Sequence, residues 1–157
     1  MISSDIISLE TYFKGLVVED PELGSHVLET SGNPFELEYF ESSSRLDGFQ
    51  YPALVQLLPI ISGGDNGMHN FEAEQEVAFC VLYPTDNSQA EKVDRHKKAQ
   101  LAAWRIIKAL RRDSKAGKFR LDPLAYKMAP IEYGTDNCVG QYVIITLITS
   151  TNLLIGV

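Results

Sequence analysis

The stretch NFEAEQEVAFCVLYP, residues 70–84, alternates at first and then turns wholly apolar. Glu72, Glu74 and Glu76 stand two residues apart, which is the period of a β-strand, so the three carboxylates project from one face of a sheet. The second half, Val77 to Tyr83, is apolar on both faces, and Pro84 ends the run. Such a strand leaves a packed core and runs out to an exposed rim or channel.

Downstream, TDNSQAEKVDRHKKAQLAAWRIIKALRRDSKAG carries the clearest helical pattern in the chain. Asp86, Asn87 or Ser88 supplies the cap, and Lys and Arg gather at the end, matching the helix dipole. Ala99, Ala103, Ile106, Ile107 and Leu110 form its apolar stripe, with Trp104 beside it, and Gly117 terminates it. Two strands follow, KFRLDPLAYKMAPIEY and CVGQYVIITLITS; Pro123 and Pro130 make the first bent or an edge. The tail TNLLIGV is apolar enough to require packing against something.

Upstream, Ile6, Leu9, Phe13, Leu16 and Val17 recur at helical spacing and predict a first helix over about residues 4–17. PFELEYFES alternates Phe35, Leu37 and Tyr39 against Glu36, Glu38 and Phe40 and reads as a half-buried strand. YPALVQLLPIIS reads as a buried strand with Pro52 and Pro59 confined to its ends or to an edge. GGDNGMHN is a long connection. The predicted order is α-β-β-β-α-β-β: an α+β fold with a mainly antiparallel or mixed sheet and two helices packed on one face. Two helices cover five strands poorly, and the leftover apolar surface predicts a neighbouring subunit.

The chain has 157 residues, 45% hydrophobic and 22% charged, which fits one domain with a real core spanning residues 1–157. Its net charge of −7, from 21 acidic and 14 basic side chains, disfavours tight binding to nucleic acid but suits a wall that DNA slides past. Cys80 and Cys138 are too few for a zinc site without histidines, and His26, His69 and His96 lack ligand spacing. No basic start precedes a continuous apolar core, and no apolar run approaches the ~20 residues of a membrane span, so a cytoplasmic origin is expected.

Three groups of residues merit weighing as sites. Same-face neighbours in the Glu72, Glu74, Glu76 row lie roughly 6.5–7 Å apart, close enough for two to share a hard cation such as Mg²⁺. No histidine or aspartate is fixed beside them, so an acidic lumen or rim face is the expectation and a small metal-dependent enzyme the rival from another class. Asp65, Asn66, Met68 and His69 fall in a loop that lacks the closing Glu of a calcium site and reads as a partner-contact loop. Arg111, Arg112, Lys115 and Lys118, with Lys108 and Arg120 nearby, make either an ordinary basic helix end or a contact patch for an acidic protein. There is no G-x-S-x-G, P-loop or G-x-G-x-x-G, so no catalytic, cofactor or metal residue is assigned.

The order of elements resembles the tail terminator (tail completion) proteins of long-tailed bacteriophages. The second strand of that family begins with an aromatic-Pro-Ala step, matched by YPALVQL, Tyr51 to Leu57. The third mixes acidic and apolar residues and ends in an aliphatic-aromatic-Pro step, matched by EAEQEVAFCVLYP, Glu72 to Pro84. The last strand is matched by YVIITLITS, Tyr142 to Ser150. The likeness runs from about residue 4 to 150; the long SGNPFELEYFESSSRLDG segment and the tail depart from the pattern. The resemblance implies a non-enzymatic virion protein without cofactor that forms a homo-oligomeric ring, a hexamer in that family. The ring would cap the tail tube, stop its polymerisation and join the neck, with genomic DNA passing through without tight binding. A neck or head–tail joining protein of similar fold is the nearest alternative, and a ligand-binding domain with a pocket near Trp104 a more distant one.

Overall fold

A computed structural model describes residues 5–65, 71–134 and 136–150. The leading helix α1, Ile6–Glu19, starts where the Asp5 carboxylate accepts the Ser8 N–H at 2.7 Å, satisfying a donor that the first turn leaves open. It buries Leu9, Phe13, Leu16 and Val17, the spacing of one helical face.

The strands are β1, Ser25–Glu29; β2, Ala53–Leu57; β3, Ile60–Asp65; β4, Phe71–Pro84; β5, Arg120–Tyr133; and β6, Cys138–Ser150. They form one mixed sheet in the order β1-β2-β4-β6-β5, and β3 pairs with the first half of β4, below β2. Among the described strands only β1 and β2 run parallel. Parallel neighbours need a crossover, and the short helix α2, Glu38–Ser44, provides it. The long helix α3, Gln89–Lys115, starts at Ser88, whose side chain accepts the Glu91 N–H, and Gly117 follows its end at φ 80°.

The expected class holds: an α+β fold, a mixed and mainly antiparallel sheet, and two helices, α1 and α3, on one face. Two stretches differ in detail. Pro34 to Ser42 was expected as a strand, yet its second part is α2. Leu37 and Phe40, three apart, are fully buried, while Phe35 and Tyr39 are 67% and 58% exposed. The buried Glu29 carboxylate of β1 accepts the Phe40 N–H at 3.0 Å and so caps a helix that has no cap of its own. The first strand lies earlier, at Ser25–Glu29. YPALVQLLPIIS, expected as one strand, breaks at Leu58-Pro59 into β2 and β3, because proline cannot continue the ladder. The tail Thr151 to Val157 lies outside the described residues.

The register of β4 divides the core in two. Val77, Phe79, Val81 and Tyr83 face α1 and α3, with Leu54, Phe119, Val143, Ile145 and Leu147. Cys80 and Leu82 face the other way, under α2, with Val27, Val55, Leu57, Phe40, Ile131 and Tyr133. Strand β6 comes so close to β4 at Gly140 that any Cβ there would meet the Val81 carbonyl oxygen at 1.7 Å, so no other residue fits. The sheet thus has the two longer helices over one face and the short α2 over part of the other.

Candidate functional site

The incomplete layer exposes the first half of β4. Glu72 stands opposite Gly64 and Ser150, Glu74 opposite Ser62 and Ile148, and Glu76 opposite Ile60 and Thr146. Glu74 and Glu76 are exposed, whereas Ala73 and Gln75, at the alternate positions, point inward and are buried. Alternation alone explains this: β4 is paired on both sides, so its side chains have only two directions. Glu72 is half-buried and accepts a hydrogen bond from Arg120 at 2.5 Å. That leaves Glu74 and Glu76 without a cation partner among the described residues. Ile60, exposed at 67%, borders them on β3; on β6 the buried Ile148 stands opposite Glu74, and half-buried Thr146, Ile144 and Tyr142 follow. Burial, and next the charges of Cys80 and Glu76, raise the Tyr142 hydroxyl pKa above the ordinary tyrosine value. Among the described residues, no three of His, Cys, Asp and Glu come together as a metal site. The row offers a negative surface and no positioned nucleophile or base.

The other two candidate groups fare differently. Asp65 closes β3 opposite Phe71. Asn66, Met68 and His69 lie outside the described residues. The basic patch splits in half. Arg112 donates to Asp113 at 2.9 and 3.3 Å and to Glu19 at 3.1 Å, and Lys118 lies 3.6 Å from Asp113 and over the Tyr12 ring. Tyr12 donates to the same carboxylate at 2.7 Å. Burial alone would raise the Asp113 carboxyl, but Arg112, Tyr12 and Lys118 outweigh it and hold the group below the ordinary carboxylate range. These cations tie α3 to α1. Arg111 and Lys115 point outward, exposed, with no ion pair among the described residues.

A second tie binds the same helices. Arg105 grips Asp20 at 2.8 and 3.1 Å and reaches Glu22 at 3.3 Å. Trp104, next to it, is 44% exposed on the outer side of α3.

Sequence reasoning missed two features. A groove of about 580 Å³ runs along the edge strand β1, lined by Glu10, Lys14, His26, Tyr39, Leu46 and Phe49. Inside it His26 Nε2 pairs with Gln56 Oε1 at 2.8 Å, and burial pushes the imidazole below its ordinary pKa. No signal announced this groove, because β1 itself was unread. The outward face of α3 is the second: Val93, Lys97, Leu101, Trp104, Lys108, Arg111 and Lys115 are all exposed and fall three or four residues apart. A count of the outward helical positions would have found it.

The sequence matches no family model and no curated protein. No helix among the described residues is long and apolar enough to cross a membrane.

Proposed function

We propose that this chain is a structural virion protein that assembles into a ring on the end of a phage-type tail tube, stops tube growth and offers the joint to the neck. The observation that carries the reading is the succession of elements. A leading helix precedes β1 and β2, and β2 is entered through Tyr51-Pro52-Ala53. Then β4 closes on Leu82-Tyr83-Pro84 before the long α3 and a final β-hairpin. The inserted α2 and β3 do not disturb that succession.

Two further features support it. Among the described residues no helix covers the Glu74 and Glu76 end of one sheet face, as expected of a domain completed by its neighbours. The chain carries a net charge of −7, and a negative channel wall lets DNA pass without adhering. On this reading the protein is not an enzyme and needs no cofactor. It works in the tail–neck region of the virion and is made in the host cytoplasm. Its partners are its own copies, probed first as a hexamer, the tube subunit and a neck protein.

Negative-stain electron microscopy and native mass spectrometry of the purified chain, alone and mixed with tail-tube subunit, test the proposal. Rings, or capped tubes of arrested length, are expected. A strict monomer that never engages tube ends sinks it. Binding at the head side of the neck, with tubes left uncapped, would move the assignment to a head–tail joining protein.

A further inference from the structure

Six of the cations on and just beyond α3 are internally engaged: Lys92 with Glu132, Arg95 with Glu91, Lys98 with Asp94, Arg105 with Asp20, and Arg112 and Lys118 with Asp113. Lys97, Lys108, Arg111 and Lys115 are the remainder, and none has an ion pair among the described residues. All four lie on the outward stripe with Val93, Leu101 and Trp104, which are 44% to 58% exposed. The stripe contains no acidic residue, in a chain of net charge −7. Its apolar members occupy the first half and three of its cations the second.

The even-numbered face of β4 is its mirror in chemistry. Glu72, Glu74 and Glu76 come first, then half-buried Ala78, with Ile144 and Tyr142 alongside on β6. The dimensions agree as well. Lys108 to Lys115 rises ~10 Å along a helix, and Glu72 to Glu76 spans ~13 Å along a strand. Only the antiparallel alignment of helix on strand brings cations over carboxylates and apolar over apolar together. A helix laid there also fills the missing part of the second layer.

We propose that α3 of one copy docks by its outward stripe on the open β4–β6 face of the next. Arg111 and its neighbours then meet Glu74 and Glu76, and Leu101 and Trp104 cover Ile144 and Tyr142. The contact joins two different surfaces, so it is heterologous and propagates until the rotation closes a ring. It builds on the ring-forming reading above and assigns the glutamates to the rim where subunits meet. Nucleic acid is a poorer occupant of the stripe, since Val93 and Leu101 offer nothing to phosphate and the net charge repels it.

Two variants test this. One carries Lys108→Glu and Arg111→Glu; the other carries Glu74→Lys and Glu76→Lys. Each places like charges in the contact, which should weaken self-association at least roughly 100-fold by analytical ultracentrifugation. Mixed one to one, each variant's altered surface complements the other's, so alternating assemblies of even copy number should return in native mass spectra. Circular dichroism and melting of each variant should match the parent, because all four positions are exposed. An unfolded variant overturns the placement on which the contact rests. Parent assemblies that both variants retain overturn the contact and leave the ring reading standing. Rescue as open filaments upholds the contact and sinks the ring. A parent that stays monomeric at ~100 μM overturns the contact, and the tube-capping experiment then judges the ring reading by itself.

Discussion

The two halves of β4 share one backbone and one register, yet they live in different surroundings. From Phe79 onward the strand lies between β2 and β6, with helices over its odd-numbered side chains and α2 over its even-numbered ones. From Phe71 to Glu76 it lies between β3 and β6, and on its even-numbered side Glu72 is half-buried while Glu74 and Glu76 are exposed, with no helix over them among the described residues. Strand pairing therefore does not decide which residues a position tolerates; the layer above it does. The roof depends on a few contacts. Phe40 of α2 is fully buried and packs edge-on against Phe49, Tyr51 and Tyr133, with ring centroids 6.0 to 6.4 Å apart.

The largest effect should come from moving the character of the first half into the second. Cys80 is fully buried, and burial pushes its thiol up to about 12, so no solvation is offered there to a charge. Cys80→Asp should cost more than about 4 kcal/mol and leave little folded protein at 37 °C, read from soluble yield and far-ultraviolet circular dichroism. A normally folded Cys80→Asp variant would refute the two-sided burial. Removing the roof instead is the next largest change. Phe40→Ala should cost roughly 3–5 kcal/mol and lower Tm by about 10 °C, while α1 and α3 keep their own layer. A shift under 2 °C would mean that α2 does not cover the sheet.

How far this contrast could be read beforehand varies with the element. The switch within β4 was visible because alternation gives way to an unbroken apolar run at Val77, and both patterns are local. Helix α3 was visible for the same reason, and the named stripe Ala99, Ala103, Ile106, Ile107 and Leu110 is buried as expected. Strand β1 and α2 were not. Phe35, Leu37 and Tyr39 alternate like a strand, but the conformation is decided by the Glu29 carboxylate eleven residues away and by rings from Phe49, Tyr51 and Tyr133. Tertiary partners override local pattern in such short segments. The basic cluster divided for a similar cause. Arg111 and Arg112 are neighbours in sequence and both exposed, and only the distant partners of α1, Glu19 and the Tyr12 that holds Asp113, decide which of them is engaged.

The smallest effect is expected where the strand is open. Replacing Glu72, Glu74 and Glu76 together with Gln changes the net charge from −7 to −4, three acids fewer. At positions 74 and 76 no hydration is lost, since Gln remains polar and exposed in the same place. Two opposing terms nearly cancel. Loss of the surface pair between Glu72 and Arg120 costs on the order of 0–1 kcal/mol, and relief of repulsion between same-face carboxylates ~7 Å apart returns a comparable amount. The melting temperature should therefore stay within about 2 °C of the parent in 0.15 M salt, against the collapse expected of a single acid at position 80. Self-association is where the triple change should register, because the cations of the neighbouring α3 lose their partners. A variant that melts 6 °C or more below the parent would show that this half of β4 is roofed after all, and the contrast between its halves would fall.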